Sequence, residues 1–237
     1  MNKYIARAGV CSRRKADALI DQQRVKVNGE VITSYWQRVG PGDVVEVNGR
    51  LISPRKAEYI LVNKPKNVIT TTDDERGRRT VMDLVDDQDK EPMGLFPVGR
   101  LDRDTVGALL LTNDGELAHR LMHPRYEVNK LYVIRTKEAV KPHEIDQLRH
   151  GIQLEDGLAK ADNVAFREGH SRREIGLQLH EGRNRQVRRM MEALGHEVVF
   201  LERINYAGLT TDGIRRGKWR RLASHEIRRL RKLVKLK

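Results

Sequence analysis

Apolar and polar positions alternate in different rhythms along this chain, and the rhythm changes near residue 57. In the N-terminal stretch Ala16, Leu19 and Ile20 recur at i, i+3 and i+4, and Ser12 is placed to cap the helix they predict. Asn28-Gly29 and Asn48-Gly49, each flanked by β-branched residues, predict type I′ hairpins. Residues 1–57 therefore read as two short helices followed by a few short strands. A polar joint, Ser53-Pro54-Arg55-Lys56, ends this pattern, and Tyr59-Ile60-Leu61-Val62-Asn63 beyond it reads as a buried strand. We place a domain boundary between 57 and 58.

From 58 onward strand and helix signals interleave. Leu109 to Thr112, Tyr132 to Arg135 and the alternating Ile175-Gly176-Leu177-Gln178-Leu179 predict strands, and Pro142 to Arg149 predicts a helix. Interleaving of this kind implies an α+β layer architecture. At the end of the chain Ile227, Leu230 and Val234 recur at helical spacing within a strongly basic run, Arg215 to Lys237, that contains a single acid, Glu226. This is a basic amphipathic helix, either a nucleic-acid contact or a solvated end.

Charge narrows the partner. The formal net charge is +13 with a sequence pI of about 10.0, yet 38% of residues are hydrophobic, so the chain folds and attracts a polyanion. Cys11 is the only cysteine, which excludes an internal disulfide framework and a multi-cysteine zinc site. No apolar run approaches the roughly 20 residues of a membrane span, and no signal-type stretch follows the N-terminal charges, so a cytoplasmic protein without a membrane partner is expected.

Three segments could carry function. Arg13-Arg14-Lys15 open the second helix, where unpaired amides and the macrodipole favour an anion, so they either dock phosphate or form a solvated basic turn. Asp102 lies in Pro97-Val98-Gly99-Arg100-Leu101-Asp102-Arg103-Asp104-Thr105, just before the apolar strand Ala108 to Thr112. Arg100 and Arg103 flank it and favour a charged carboxylate; it is either a nucleophile or base, or a structural ion-pair partner. The third segment, Glu181 to Met191, is a glycine turn opening a helix. Its apolar stripe is Val187, Met190, Met191 and Leu194, and Arg185, Arg188 and Arg189 lie on the other side. With Arg183 these guanidinium groups could pair with a catalytic carboxylate, hold phosphates, or face solvent. The chain lacks a P-loop, a strand followed by GxGxxG, an HExxH pair and a Cys/His cluster.

Residues Asn2 to Ala6, Ala8 to Arg14, Val25 to Gly29 and Pro41 to Val45 resemble the S4 RNA-binding module. The strings GRLDRDT, LLLTNDGELAHRLMHP and EGRNRQVRRM are similar to those of the S4-bearing ribosomal RNA pseudouridine synthases, with the large-subunit branch the nearer. The resemblance implies a small S4-like α/β module over 1–57, then a catalytic domain over 58–237 with a mixed, mainly antiparallel sheet flanked by helices. It implies Asp102 as the catalytic aspartate, Tyr132 of Lys130-Leu131-Tyr132 as the active-site tyrosine, and Arg188 of Gln186-Val187-Arg188 as the arginine that pairs with the aspartate. Lys64-Pro65 matches a lysine-proline motif at the head of the catalytic domain, and Lys64, Arg100, Arg183, Arg185 and Arg189 join Arg13, Arg14 and Lys15 as candidate RNA contacts. Val106 and Ala108 depart from the family's usual residues.

The implied reaction moves the uracil of a uridine from an N1 to a C5 attachment and balances without a cofactor or metal. The implied partner is ribosomal RNA, 23S rather than 16S, free or in an assembly intermediate, with the protein a monomer. A non-catalytic S4-type RNA-binding or assembly protein would need the charge but not the aspartate, tyrosine and arginine together. An S4-linked methyltransferase would need a glycine-rich nucleotide loop, which the sequence lacks.

Overall fold

In the computed structural model, which describes residues 1–85 and 94–236, Ser12 accepts a hydrogen bond from the Lys15 amide at 3.3 Å and so starts its helix as its side chain dictates. The chain divides into two compact units, the first containing Met1–Glu58 and the second beginning at Tyr59.

The first unit holds α1 (Asn2–Arg7) and α2 (Arg13–Asp21), then β1 (Val25–Val27), β2 (Glu30–Val31), β3 (Val45–Val47) and β4 (Arg50–Ile52) in the antiparallel order β2-β1-β3-β4. Both Asn-Gly pairs have positive φ at both residues, 52° and 86° at Asn28-Gly29 and 52° and 72° at Asn48-Gly49, as type I′ turns require. Ile5, Ala16 and Ile20 from the helices pack with Val25, Val27, Val45 and Val47, the inward residues of two alternating strands.

The second unit is built on a mixed sheet. Its strands are β5 (Tyr59–Lys64), β6 (Phe96–Pro97), β7 (Val106–Thr112), β8 (Lys130–Thr136), β11 (Asn163–Phe166), β12 (Glu174–Leu179), β13 (Val198–Tyr206), β14 (Leu209–Thr210) and β15 (Trp219–Arg221); β9 (Ile152–Leu154) and β10 (Gly157–Ala159) form a separate hairpin. The main order is β11-β12-β8-β13-β7-β5-β15, and among the described pairings within it only β7 with β13 is parallel. Every residue of β5 and β7 is buried, which explains their unbroken apolar runs: both faces are covered. Of the helices α3 (Gly115–Met122), α4 (Pro142–His150), α5 (Gln186–Ala193) and α6 (Ser224–Leu233), α4 and α5 pack into one core with Ile134 and Leu177, and α3 and α6 into another with Leu61 and Leu110.

The basic tail differs from its expectation in one respect. Ile227, Leu230 and Val234 do anchor a helix, but residues 219–221 form an edge strand on β5 that the charged sequence Trp-Arg-Arg did not signal. Arg120 closes the helix end by donating to the carbonyls of Val234 and Lys235 at 3.2 and 2.6 Å.

Gly107 stands at the parallel contact of β7 and β13, opposite Arg203, with φ of +104°. A Cβ there would lie 2.2 Å from the Arg203 carbonyl oxygen, which is backbone and cannot turn away. Gly107→Ala is therefore expected to destabilise the protein by about 2–4 kcal/mol, through φ strain and forced separation of the two strands. Urea unfolding checks this: an unchanged midpoint would mean the strands part at no cost.

Candidate active site

The loop from Val98 to Thr105 carries Asp102 into a cavity of the second unit, and its backbone is fixed from several sides. Thr70 Oγ1 donates to the Leu101 carbonyl at 2.7 Å and accepts from the Leu101 amide at 3.2 Å, while the Asn67 amide donates to the Arg103 carbonyl at 2.9 Å. Lys64 supplies the strongest hold. Its Nζ donates to the carbonyls of Asp102, Arg103, Thr105 and Pro65 at 2.9, 3.2, 2.8 and 3.2 Å.

Lys64 thus corrects a sequence expectation. It is fully buried at the end of a strand covered on both faces, its amine is taken up by carbonyls, and it offers nothing to an RNA phosphate. Burial pushes its ammonium down to about 8, partly offset by Asp102 and Asp104. Its work is to hold the loop that presents Asp102.

The cations that approach Asp102 are also not the ones adjacent in sequence. Among the described residues its ion pairs come from Arg185 Nη1 and Arg188 Nε, both 3.9 Å from Oδ2, whereas Arg100 and Arg103 are exposed beside it. Arg188 is only 12% exposed and donates from Nη1 to the Val198 carbonyl at 3.0 Å. Its buried Nε makes no hydrogen bond, so a shift of about 1 Å would bring it into bonding distance of the carboxylate. Arg185 begins α5 with a left-handed backbone, φ 47° and ψ 29°.

The other two arginines of this segment brace the protein. Arg183 donates to the carbonyls of Asp156, Gly157 and Leu158 at 3.2, 3.1 and 2.8 Å, and Arg189 forms a fork on the Asp156 carboxylate at 3.0 and 2.8 Å. Their guanidinium groups tie the β9–β10 hairpin to the start of α5, so the expectation that both hold phosphates gives way to a structural role.

Tyr132, half-buried near the middle of β8, lines the same cavity of about 700 Å³ as Asp102, Arg100, Arg185 and Arg188. Leu121, Leu179 and Leu201 supply apolar wall. Three further wall residues had been given no role from sequence. Lys130 donates to the carbonyls of Val128 and His180 at 2.9 and 2.6 Å, and burial pushes its ammonium down to about 8. Arg203 is buried, donates from Nε to the Ala108 carbonyl at 2.8 Å and lies 4.7 Å over the Tyr206 ring. Burial pushes the Tyr206 phenol up to about 12, so it stays protonated. Alternation was the available signal, since Lys130 and Tyr132 share one face of β8 and Leu201 and Arg203 one face of β13. Arg13, Arg14 and Lys15 lie exposed on the first turn of α2 in the other unit.

A family model described as RNA pseudouridylate synthase matches residues 58–193, and an S4 domain model matches 2–45. The ribosomal large subunit pseudouridine synthase B of Bacillus subtilis is 46% identical over 237 residues, which cover 99% of this chain and 96% of that protein. The dual-specificity RNA pseudouridine synthase RluF of Escherichia coli is 37% identical over 99% of this chain and 79% of its own. A crystal structure of a pseudouridylate synthase superposes with a TM-score of 0.68 at 29% identity, over 97% of this chain and 98% of the other.

Proposed function

The chain belongs to the RNA pseudouridylate synthase family, and on that premise we propose that it isomerises uridine in ribosomal RNA with Asp102 as the reacting carboxylate. The observation that carries the reading is a carboxylate held on a braced loop, faced by two guanidinium groups at 3.9 Å, in a cavity it shares with Tyr132.

The bond between uracil N1 and ribose C1′ breaks, the base turns, and C5 bonds to C1′ while the C5 proton leaves and N1 takes up a proton. Asp102 either attacks C1′ or removes the C2′ proton, and both routes need an ionised carboxylate within reach of the sugar. Arg188 is a positioning residue: tied to the Val198 carbonyl, it holds a guanidinium 3.9 Å from Asp102 and orients the carboxylate. Tyr132 gives the detached uracil an aromatic surface, and the leucine walls keep water away from it. A uridine stacked in a helix is out of reach, so the cavity receives a flipped or loop nucleotide. Arg100 and Arg185, exposed at the rim, are the phosphate contacts of this unit.

Residues 1–57 dock RNA through Arg13, Arg14 and Lys15, and 58–237 perform the isomerisation, in a protein that acts as a monomer. Large-subunit RNA is the preferred target. The Bacillus subtilis relative, a large subunit enzyme matched almost end to end, supports that choice, and the more distant Escherichia coli relative is a dual-specificity enzyme. The test is to incubate the purified protein with large-subunit ribosomal RNA, small-subunit ribosomal RNA and transfer RNA, then locate pseudouridines by carbodiimide-dependent primer-extension stops. Stops in large-subunit RNA are expected. Stops confined to either other RNA would overturn the choice of target, and none in any RNA would overturn the function.

A further inference from the structure

Trp36 is 88% exposed, the most exposed large hydrophobic residue among those described. Its surroundings make that exposure unusual, because the turn that carries it is well fixed. The Gln37 amide donates to the Ser34 carbonyl at 3.3 Å and the Trp36 amide to Ser34 Oγ at 3.3 Å, closing a turn with Trp36 at its tip. The Met1 amine donates to the carbonyls on either side, Tyr35 at 3.1 Å and Gln37 at 2.8 Å, and the Tyr35 hydroxyl is bonded to Asp21 at the end of α2. The backbone is held from several directions while the indole touches water. A turn position of this kind accepts most residue types, so folding does not select tryptophan there.

The charge beside the turn identifies what the indole could meet. The turn meets α2 at its last residue, Asp21, and the first turn of the same nine-residue helix carries Arg13, Arg14 and Lys15. Arg38, two residues on, is exposed and has no ion-pair partner among the described residues. Cations that hold phosphates next to a fixed, bare aromatic ring are the combination that binds an unpaired stretch of nucleic acid, with phosphates on the cations and a base on the ring.

We propose that Trp36 is a stacking platform for one unpaired base of the docked RNA, next to a phosphate on Arg38 and within the same unit as Arg13, Arg14 and Lys15. This rests on the reading of residues 1–57 as an RNA-docking unit and adds a base contact to it. Stacking tolerates any base, so the platform selects for single-strandedness rather than for a sequence.

Trp36 and Trp219 are the only tryptophans, which makes fluorescence a direct readout. The full-length protein is titrated with purified large-subunit ribosomal RNA, using wild type, Trp219→Phe, Trp36→Phe, Trp36→Ala and the triple variant Arg13→Gln/Arg14→Gln/Lys15→Gln. Quenching is expected to persist in Trp219→Phe and to vanish in Trp36→Phe. Trp36→Ala is expected to weaken binding roughly five- to hundredfold with an unchanged salt slope, Trp36→Phe to retain most of the affinity, and the triple variant to flatten the slope. If RNA binds with the triple-variant effect but Trp36 is neither quenched nor needed, the stacking platform is wrong and the docking unit stands. If wild type binds no RNA, the docking unit itself is wrong.

Discussion

Asp102→Asn is expected to lower pseudouridine formation by at least roughly 10⁴-fold, the scale on which removal of a reacting nucleophile is felt, while RNA affinity stays within a few-fold of wild type. The substitution keeps size but removes the charge that either route through the sugar requires. It should not disturb the loop, because the loop is held through backbone carbonyls by Lys64 and through Leu101 by Thr70, not through the Asp102 side chain. Tritium release from RNA labelled at uracil C5, measured beside a binding titration, separates the two effects. Normal release by the variant would remove Asp102 from the reaction.

Arg188→Met is expected to reduce kcat by roughly 10²–10³, the usual cost of losing one preorganised electrostatic partner. The guanidinium is 12% exposed and faces Asp102, itself 38% exposed, at 3.9 Å from α5, so its charge acts on the carboxylate with partial screening by solvent. A merely structural role would appear as lost stability, since Arg188 also donates to the Val198 carbonyl. Thermal unfolding is therefore measured alongside, and Arg188→Lys, which restores a charge without the planar fork, should recover part of kcat. A fall in stability with kcat unchanged in the folded fraction would reduce Arg188 to a packing residue.

The sequence is most informative where local chemistry decides the outcome. Ser12, the two Asn-Gly pairs and the apolar runs of β5 and β7 specify their elements, whereas the turn before α5 falls at Asn184-Arg185, with Arg185 and not Gly182 in the left-handed region. Side-chain destinations were harder to read. Lys64 looks like a surface cation until β5 is known to be covered on both faces, at which point its amine can only turn inward to carbonyls. Arg188 lies outside the apolar stripe of its helix, and nothing within the helix shows that a loop 86 residues earlier in the chain brings a carboxylate to it. Arg183 and Arg189 read as free charge because their partners, the carbonyls and carboxylate at Asp156, belong to a distant hairpin. The parallel pairing of β7 with β13, which requires Gly107, joins residues 96 positions apart and leaves no periodic trace.

The most direct test compares pseudouridines, at nucleotide resolution, in ribosomal RNA from cells that lack this protein and from the same cells supplied with either the wild-type chain or Asp102→Asn. One or more large-subunit pseudouridines should be absent without the protein, return with wild type and stay absent with the variant. An unchanged pseudouridine map without the protein, or full restoration by Asp102→Asn, would contradict the assignment of ribosomal RNA isomerisation to Asp102.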